Sequence, residues 1–505
     1  MKYRFLFFLL SASTFCFSQS TFTPFDSAYI YTYGGFNDDY ARQIISTSDT
    51  GYIVVGTTSS FGVATTDIYI IKTDRNAVRQ WSNIYGSPSI EWGYSVRETF
   101  DHGYIITGYT NQNGASGYDM YLLKITNLGA VEWTKNIGGT DWDFGYGIEL
   151  TADSGFIICG KSYSFSNGGS DVYIVKTNST GDVLWQKNYG GLQDESANAI
   201  IRDRNNDYAI IGETRSFGAG DDDIWILKIN GNGDTLWTRT FGGVKFDAGY
   251  GIDTAIDGNY VAIGTTFNFN VDTASNMYFM KVDTLGNEVW GSPQGGQRTE
   301  EGRVVKTLPD GEIVSGGMTE SYGLGGKAYH MLRNTSGGGF VDGASFGGTD
   351  DEEGYSVAVG LDNQIVFAGT SNSYGAGLND VYLIRIDTFT FVGDYFLSIH
   401  EYNDSLVGID DHAGNAHEGM FIYPNPASGF FKLKLPELFS SSQNCSIQIA
   451  DLAGRILKEF PVNDKFVSTG HEIKIETGKE FSEGIYFVSV VSDGRVQQTS
   501  KLILY

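Results

Sequence analysis

The chain has 505 residues, 41% hydrophobic and 14% aromatic, with 66 glycines and only 8 prolines; this excludes a disordered or fibrous protein and describes a turn-rich, globular all-β one. Lys and Arg number 34 against 60 Asp and Glu, a formal net charge of -26, which makes nucleic acid a poor partner and suits the solubility of an exported protein. Its cysteines, Cys16, Cys159 and Cys445, are too scattered for a disulfide framework, and the last two read as small buried hydrophobes.

Residues 1–20, MKYRFLFFLLSASTFCFSQS, combine a basic start at Lys2 and Arg4, an apolar core from Phe5 to Leu10 and small residues before Thr21. They read as a signal peptide cleaved after Ser18 or Ser20, since Phe15 disfavours lipid modification of Cys16. No second apolar run approaches the roughly 20 residues of a membrane span.

From there a unit repeats seven times. Its first glycine falls at Gly34, Gly86, Gly138, Gly190, Gly242, Gly295 and Gly347, a spacing of 52, once 53. A basic residue keeps step at Lys72, Lys124, Lys176, Lys228, Lys281, Arg333 and Arg385, and a tryptophan at Trp81, Trp133, Trp185, Trp237 and Trp290. Each unit contains four strand-like runs. A short run such as Tyr146 to Leu150 leads to an Asx turn at Asp49, Asp101, Asp153, Asn205, Asp257, Asp310 or Asp362. An apolar run ending in glycine follows, then a loop rich in Gly, Ser and aromatics, a third run such as DVYIVK, and a fourth that carries the tryptophan.

Seven such units predict a seven-bladed β-propeller of four-stranded blades over residues 21–399; the rungs of a β-solenoid are much shorter. The position occupied by Ala41, Gly93, Gly145, Ala197, Gly249, Gly302 and Gly354 is always small, which places this first strand innermost, where large side chains would collide. The chain enters at SAYIYTYGG with no three strands before it, so Ser27 to Tyr33 is expected to close the ring against the blade ending at Asp387. The segment TFTFV at 388–392 competes for that place.

If the strands alternate in direction, the loops after the glycines and those between second and third strands share one rim, which is acidic, aromatic and varied, as binding surfaces on rigid scaffolds are. One carboxylate recurs there in every copy: Asp39, Glu91, Asp143, Glu195, Asp247, Glu300 and Glu352. Such regularity argues for a structural acceptor of backbone hydrogen bonds, with calcium as the competing reading, although no full calcium loop is present. Asp203, Asn205 and Asp207 lack the loop glycine, and Asp221 to Asp223, the densest acidic cluster, fit a solvated loop as well as a metal. The candidate binding residues are therefore the aromatics Phe36, Trp92, Trp142, Phe144 and Phe246 and the unrepeated cations Lys245, Arg298 and Lys327. Packing between blades is the competing role for the aromatics.

Catalytic motifs are missing. None of the six histidines has metal-ligand spacing within the repeats, and no GxSxG, HExxH, P-loop or CxxC occurs, so binding is favoured over catalysis and no resident cofactor is implied. A propeller enzyme acting on extracellular polysaccharide, assembled from single residues of several blades, is the alternative; a structural spacer of the cell surface is another.

Segments such as NSTGDVLW and NGNGDTLW resemble the tryptophan-docking turn of quinoprotein propellers, in packing alone, and the Gly-Gly and period look like kelch repeats without their aromatic pattern. About residues 27 to 395 most resemble secreted bacterial propeller-type repeats of surface proteins. After an acidic linker, 400–419, residues 420–505 alternate like a small β-sandwich. Tyr423, Pro424, Asn425 and Pro426, then Asp451, Gly454 and Arg455, then Gly484, Ile485 and Tyr486, and the basic-apolar end Lys501 to Tyr505, resemble the type A sorting domain of the type IX secretion system. That resemblance implies the secretion machinery as a partner, removal of the domain, and release or attachment to surface lipopolysaccharide on the outer face of the outer membrane. The expected ligand is an extracellular glycan or protein.

Overall fold

The computed structural model describes residues 28–62, 65–112, 117–269, 274–323, 326–360, 363–375 and 377–386, then 397–399, 421–428, 430–434, 445–450, 455–461, 472–476, 481, 484–492 and 495–504. The signal segment 1–20, Ser27, Asp362, the competing strand 388–392, the linker 400–419, Asp451, Gly454 and Tyr505 lie outside the described residues.

Six antiparallel four-stranded sheets follow one another, each a meander in chain order, and a seventh combines three consecutive strands with one from the start of the chain. In the third blade the strands are Asp143–Leu150, Phe156–Ser162, Asp171–Thr177 and Val183–Tyr189. The second strand is buried along most of its length in every blade, as its continuous apolar run requires, whereas the fourth strand of the third blade has no buried residue. The core lies between blades: one cluster joins Ile53, Val55, Ile68 and Ile70 of the first blade to Val96, Tyr104, Ile106 and Leu123 of the second.

The ring closes as the sequence suggests. Ala28–Tyr33 pairs antiparallel with Asp380–Ile386 as the outer strand of the seventh blade, and Leu397–Ile399 adds a short parallel strand beyond it. Ile44 of the first blade donates its backbone N–H to Ser356 of the seventh at 3.1 Å, and Asn379 donates to Asp38 at 2.6 Å. Tyr33 donates to the carbonyl of Ala77 at 2.6 Å, the bond that Tyr85 makes to Gly129 and Tyr189 to Gly233.

The innermost strand is the one after Gly-Gly, but the reason differs from the one expected. A methyl on Gly93 would meet Val55 and Ile68, and one on Gly354 would meet the ring of Tyr329, all on the preceding blade. The small residues face their neighbour rather than the axis. The inner strand also begins three residues earlier than Tyr146, at the recurring carboxylate itself.

In every blade the pairing of first and second strands skips one residue: Arg42, Tyr94, Tyr146, Asn198, Tyr250, Arg303 and Tyr355. This β-bulge turns that side chain out of the pleat. A glycine stands opposite it in the second strand, and a Cβ on Gly160 would lie 1.8 Å from the carbonyl oxygen of Phe144.

The other ladders lock blades and turns. Lys72, Lys124, Lys176, Lys228 and Lys281 reach Asp49, Asp101, Asp153, Asp203 and Asp257 at 2.7 to 3.0 Å, tying the third strand to the turn after the first. Trp133 lies on Gly181 of the following blade, at φ 77°, so the ring occupies the space of the missing side chain.

Residues 421–505 contribute seven described strands, in the order Ile456–Pro461, Cys445–Ala450, Gly484–Ser492, Arg495–Leu504, Phe421–Ser428, Phe430–Lys434 and Glu472–Glu476. Leu433, Ile447, Ile449, Ile475, Tyr486 and Val488 are buried. The ladder from Phe421–Ser428 to its partner breaks between Tyr423 and Ser428, where Pro424 and Pro426 have no N–H to donate.

Two outcomes follow for stability. Gly160→Ala should cost about 3 kcal/mol by denaturant unfolding, whereas Gly231→Ala, with nothing within 4 Å, should be neutral. Deleting residues 21–33 removes the outer strand of the closing blade and should lower the melting temperature; an unchanged value would contradict this closure.

Candidate ligand-binding site

The recurring carboxylates are buried latches at the start of each inner strand, not rim groups. Gly35 donates its N–H to Asp39 at 2.7 Å, Gly139 to Asp143 at 2.7 Å, Gly191 to Glu195 at 2.8 Å, Gly243 to Asp247 at 2.9 Å, Gly296 to Glu300 at 2.8 Å and Gly348 to Glu352 at 2.9 Å. In the second blade Ser87 does so to Glu91 at 3.2 Å. The longer glutamates also accept hydroxyls from Thr110, Thr214, Thr319 and Ser371, all within 3.1 Å. Burial pushes the Asp39 carboxyl up to about 6, against the pull of hydrogen bonds from Ser60, Thr58 and Gly35. Of the acidic cluster, Asp222 is held by Arg215 at 2.7 and 3.1 Å and Asp223 begins a third strand.

The seven bulged residues all line the central channel, a cavity of about 960 Å³. Arg42, Tyr94, Tyr146, Asn198, Tyr250, Arg303 and Tyr355 thus form a ring just inside the loop-bearing rim, each half-buried.

Around blades one to three this ring is backed by a continuous aromatic wall. Tyr94 meets Tyr146 at 5.0 Å and Tyr109 at 5.8 Å, Trp92 stacks on Tyr40 at 6.0 Å and on Tyr109 at 6.1 Å, and Phe144 stacks on Tyr146 at 5.9 Å. Tyr118 and Trp142, 5.7 Å apart, extend it outward, and Lys161 lies 5.5 Å over Phe144.

Blades four to seven bring charge. Asn198 donates to Glu213 at 2.7 Å and to the carbonyl of Gly249 at 2.8 Å. Arg303 lies 4.2 Å over Tyr250 and pairs with Glu301. Glu353 accepts from Lys327 at 2.6 Å and from Tyr355. Burial pushes Glu213 up to about 7, opposed by the Asn198 hydrogen bond and the Lys161 charge and assisted by Asp222. Burial also works to raise Glu353, but Lys327 and Tyr355 outweigh it and hold that carboxyl below its ordinary range.

Of the sequence candidates, Trp92, Trp142 and Phe144 belong to this wall, and Lys327 reaches the opposite side through Glu353. Phe36 is 76% exposed on the outer rim, Phe246 pairs with Phe267 at 6.0 Å, and Lys245 and Arg298 are exposed with their backbone N–H groups bound to Asn268 and Ser321; none of these four lines the channel. His330 is a packed strand residue stacked on Tyr322 at 5.3 Å and bound to Ser345 at 2.9 Å, with burial lowering it to about 4. Cys159 is buried, and burial raises its thiol to about 12. The ring itself escaped sequence reasoning. Its signal was the residue directly after the small position, which is Tyr, Arg or Asn in every copy.

Residues 421–505 match the family model of the secretion system C-terminal sorting domain. Over 202 residues, 34% of this chain, the sequence is 24% identical to the regulatory protein FlaEY of Caulobacter vibrioides, and the match spans 21% of that protein. Among solved structures, the extracellular domain of a putative one component system from B. thetaiotaomicron is similar at 11% identity and a TM-score of 0.40, over 92% of this chain and 56% of that one. The Neurospora crassa Pan2 WD40 domain is similar at 9% identity and a TM-score of 0.41, over 72% of this chain and all of that one. The propeller assignment rests on the sheet order and the ring-closing contacts. The chain is a secreted surface protein with a type IX sorting tail.

A buried carboxyl raised above its free value of 4.5 binds its proton more tightly in the folded chain. Stability therefore falls as pH rises from about 4.5 to about 7 and stays lowered above that. Glu213→Gln keeps an oxygen for Asn198 and loses the charge, so it should melt above the wild type at pH 8 and level with it at pH 4, by calorimetry.

Proposed function

We propose that this protein is a cell-surface binding module that holds an extracellular glycan at the mouth of its propeller channel. After export and loss of the signal and sorting segments, attachment to lipopolysaccharide on the outer face of the outer membrane presents this mouth for adhesion. The observation that carries the reading is the ring of bulged residues. Seven positions made equivalent by the fold hold four tyrosines, two arginines and one asparagine, backed on one side by an aromatic wall. Aromatic faces pack against the C–H faces of sugar rings, while asparagine, arginine and tyrosine hydroxyls bond their oxygens. Residues needed only for the fold would repeat from blade to blade, as the latches and lysines do.

Catalysis is the second reading, and one observation favours it. Glu213 and Glu353 stand at the same mouth with carboxyls pushed in opposite directions, the arrangement expected of an acid and an ionised partner.

A glycan array with the purified protein should show binding, and Tyr94→Ala and Tyr146→Ala should each weaken it about tenfold by calorimetry. Release of product from the bound sugar would replace the binder with an enzyme; an array with no hit would point to a protein ligand.

A further inference from the structure

Among the described residues, the cations at the channel mouth are held either by carboxylates or by ring faces, as Lys161 is by Phe144 and Tyr163. Arg303 has Glu301, Lys327 has Glu353, and Glu213 has Asn198. Arg42 instead has four aromatic rings: its guanidinium carbon lies 4.5 Å from the centroid of Tyr355, 5.4 Å from Tyr94, 5.5 Å from Trp92 and 5.8 Å from Tyr40. Its Nε is buried and bonded to nothing among the described residues, and the side chain lines the channel.

Taking a guanidinium out of water is costly, and ring faces offset only part of that cost because they accept no directed hydrogen bond. Two parallel N–H groups remain to be satisfied, and the geometry that satisfies both at once is a carboxylate or sulfate oxygen pair. Three of the four rings around Arg42, Tyr40, Trp92 and Tyr94, belong to the aromatic wall, so an anionic substituent on Arg42 would leave its sugar ring against Trp92 or Tyr94.

We infer that Arg42 is the anion-binding residue of the channel mouth and that the ligand is an acidic glycan, bearing a carboxylate or a sulfate on a sugar stacked against Trp92 and Tyr94. This rests on the glycan reading above. The net negative charge of the protein repels such a ligand at long range, but at physiological ionic strength that repulsion is screened beyond about 8 Å, whereas a contact pair with Arg42 is not.

The test is calorimetric titration of the whole protein with two matched pairs of polymers: polygalacturonate and its methyl ester, and a sulfated galactan and its desulfated form. One acidic polymer should bind at least tenfold more tightly than its neutral counterpart, and the pair that shows the preference identifies carboxylate or sulfate. Arg42→Gln should abolish the preference while keeping residual binding of the neutral polymer, and Arg42→Lys should restore part of it. An unchanged or higher melting temperature for Arg42→Gln confirms that the fold is intact. Equal binding within both pairs, or a preference that survives in Arg42→Gln, overturns the acidic ligand and leaves the glycan site standing. No binding to any of the four polymers also overturns it, and the glycan reading falls with it only if the wider array is empty.

Discussion

The structure depends on one extra residue per blade. In each inner strand a residue is inserted into the ladder opposite a glycine of the second strand, where a Cβ would lie 1.7 to 2.2 Å from a backbone oxygen. Without the glycine the first strand could not approach the second at that point; without the insertion its side chain would return to a blade face. The insertion and the glycine together aim seven side chains at the axis while the residues before them remain small enough to pack on the preceding blade. A fold requirement and a functional opening are thus produced by the same local irregularity.

The latch carboxylates make that arrangement rigid. Each accepts the backbone N–H four residues upstream and so fixes the loop that enters the inner strand; in several blades a serine or asparagine from the loop between second and third strands joins it, as Ser60 does to Asp39 and Ser164 to Asp143. The same serines accept the N–H of Asn37 and Asp141. The two rim loops of a blade are therefore one hydrogen-bonded unit anchored on a buried carboxylate. The bulged residue lies three positions after that anchor, so its side chain is held by bonds that close over a short stretch of chain.

Much of this was legible in the sequence, because ladders of equivalent residues report equivalent environments. The period, the strand count, the inner strand and the closing strand followed from repetition and from turn chemistry, and the sorting motifs from their resemblance to a known sorting domain. What misled was a physical assumption: that the axis is crowded. Seven blades leave a channel wide enough for tyrosine and arginine, so Gly93, Gly145 and Gly354 are small for the sake of the neighbouring blade. The same error hid the ring, since its members appeared to alternate onto a blade face. A bulge shifts the alternation by one residue, and no residue type announces it.

Repetition also explains why the candidate residues divided as they did. Trp92, Trp142 and Phe144 lie on or next to inner strands and were gathered into the wall, whereas Phe36, Lys245 and Arg298 lie exposed on rim loops, where Asn268 and Ser321 hold the backbone N–H groups of Lys245 and Arg298. The useful variation is therefore on the most constrained backbone in the molecule. It is also polarised around the ring: aromatic over blades one to three, charged over blades four to seven. A ligand held between two such halves can take only one orientation, since its apolar face fits one side and its polar edge the other. On the glycan reading, the symmetric scaffold holds an asymmetric molecule in this way, with Arg42 at the junction where the aromatic wall meets the charged half.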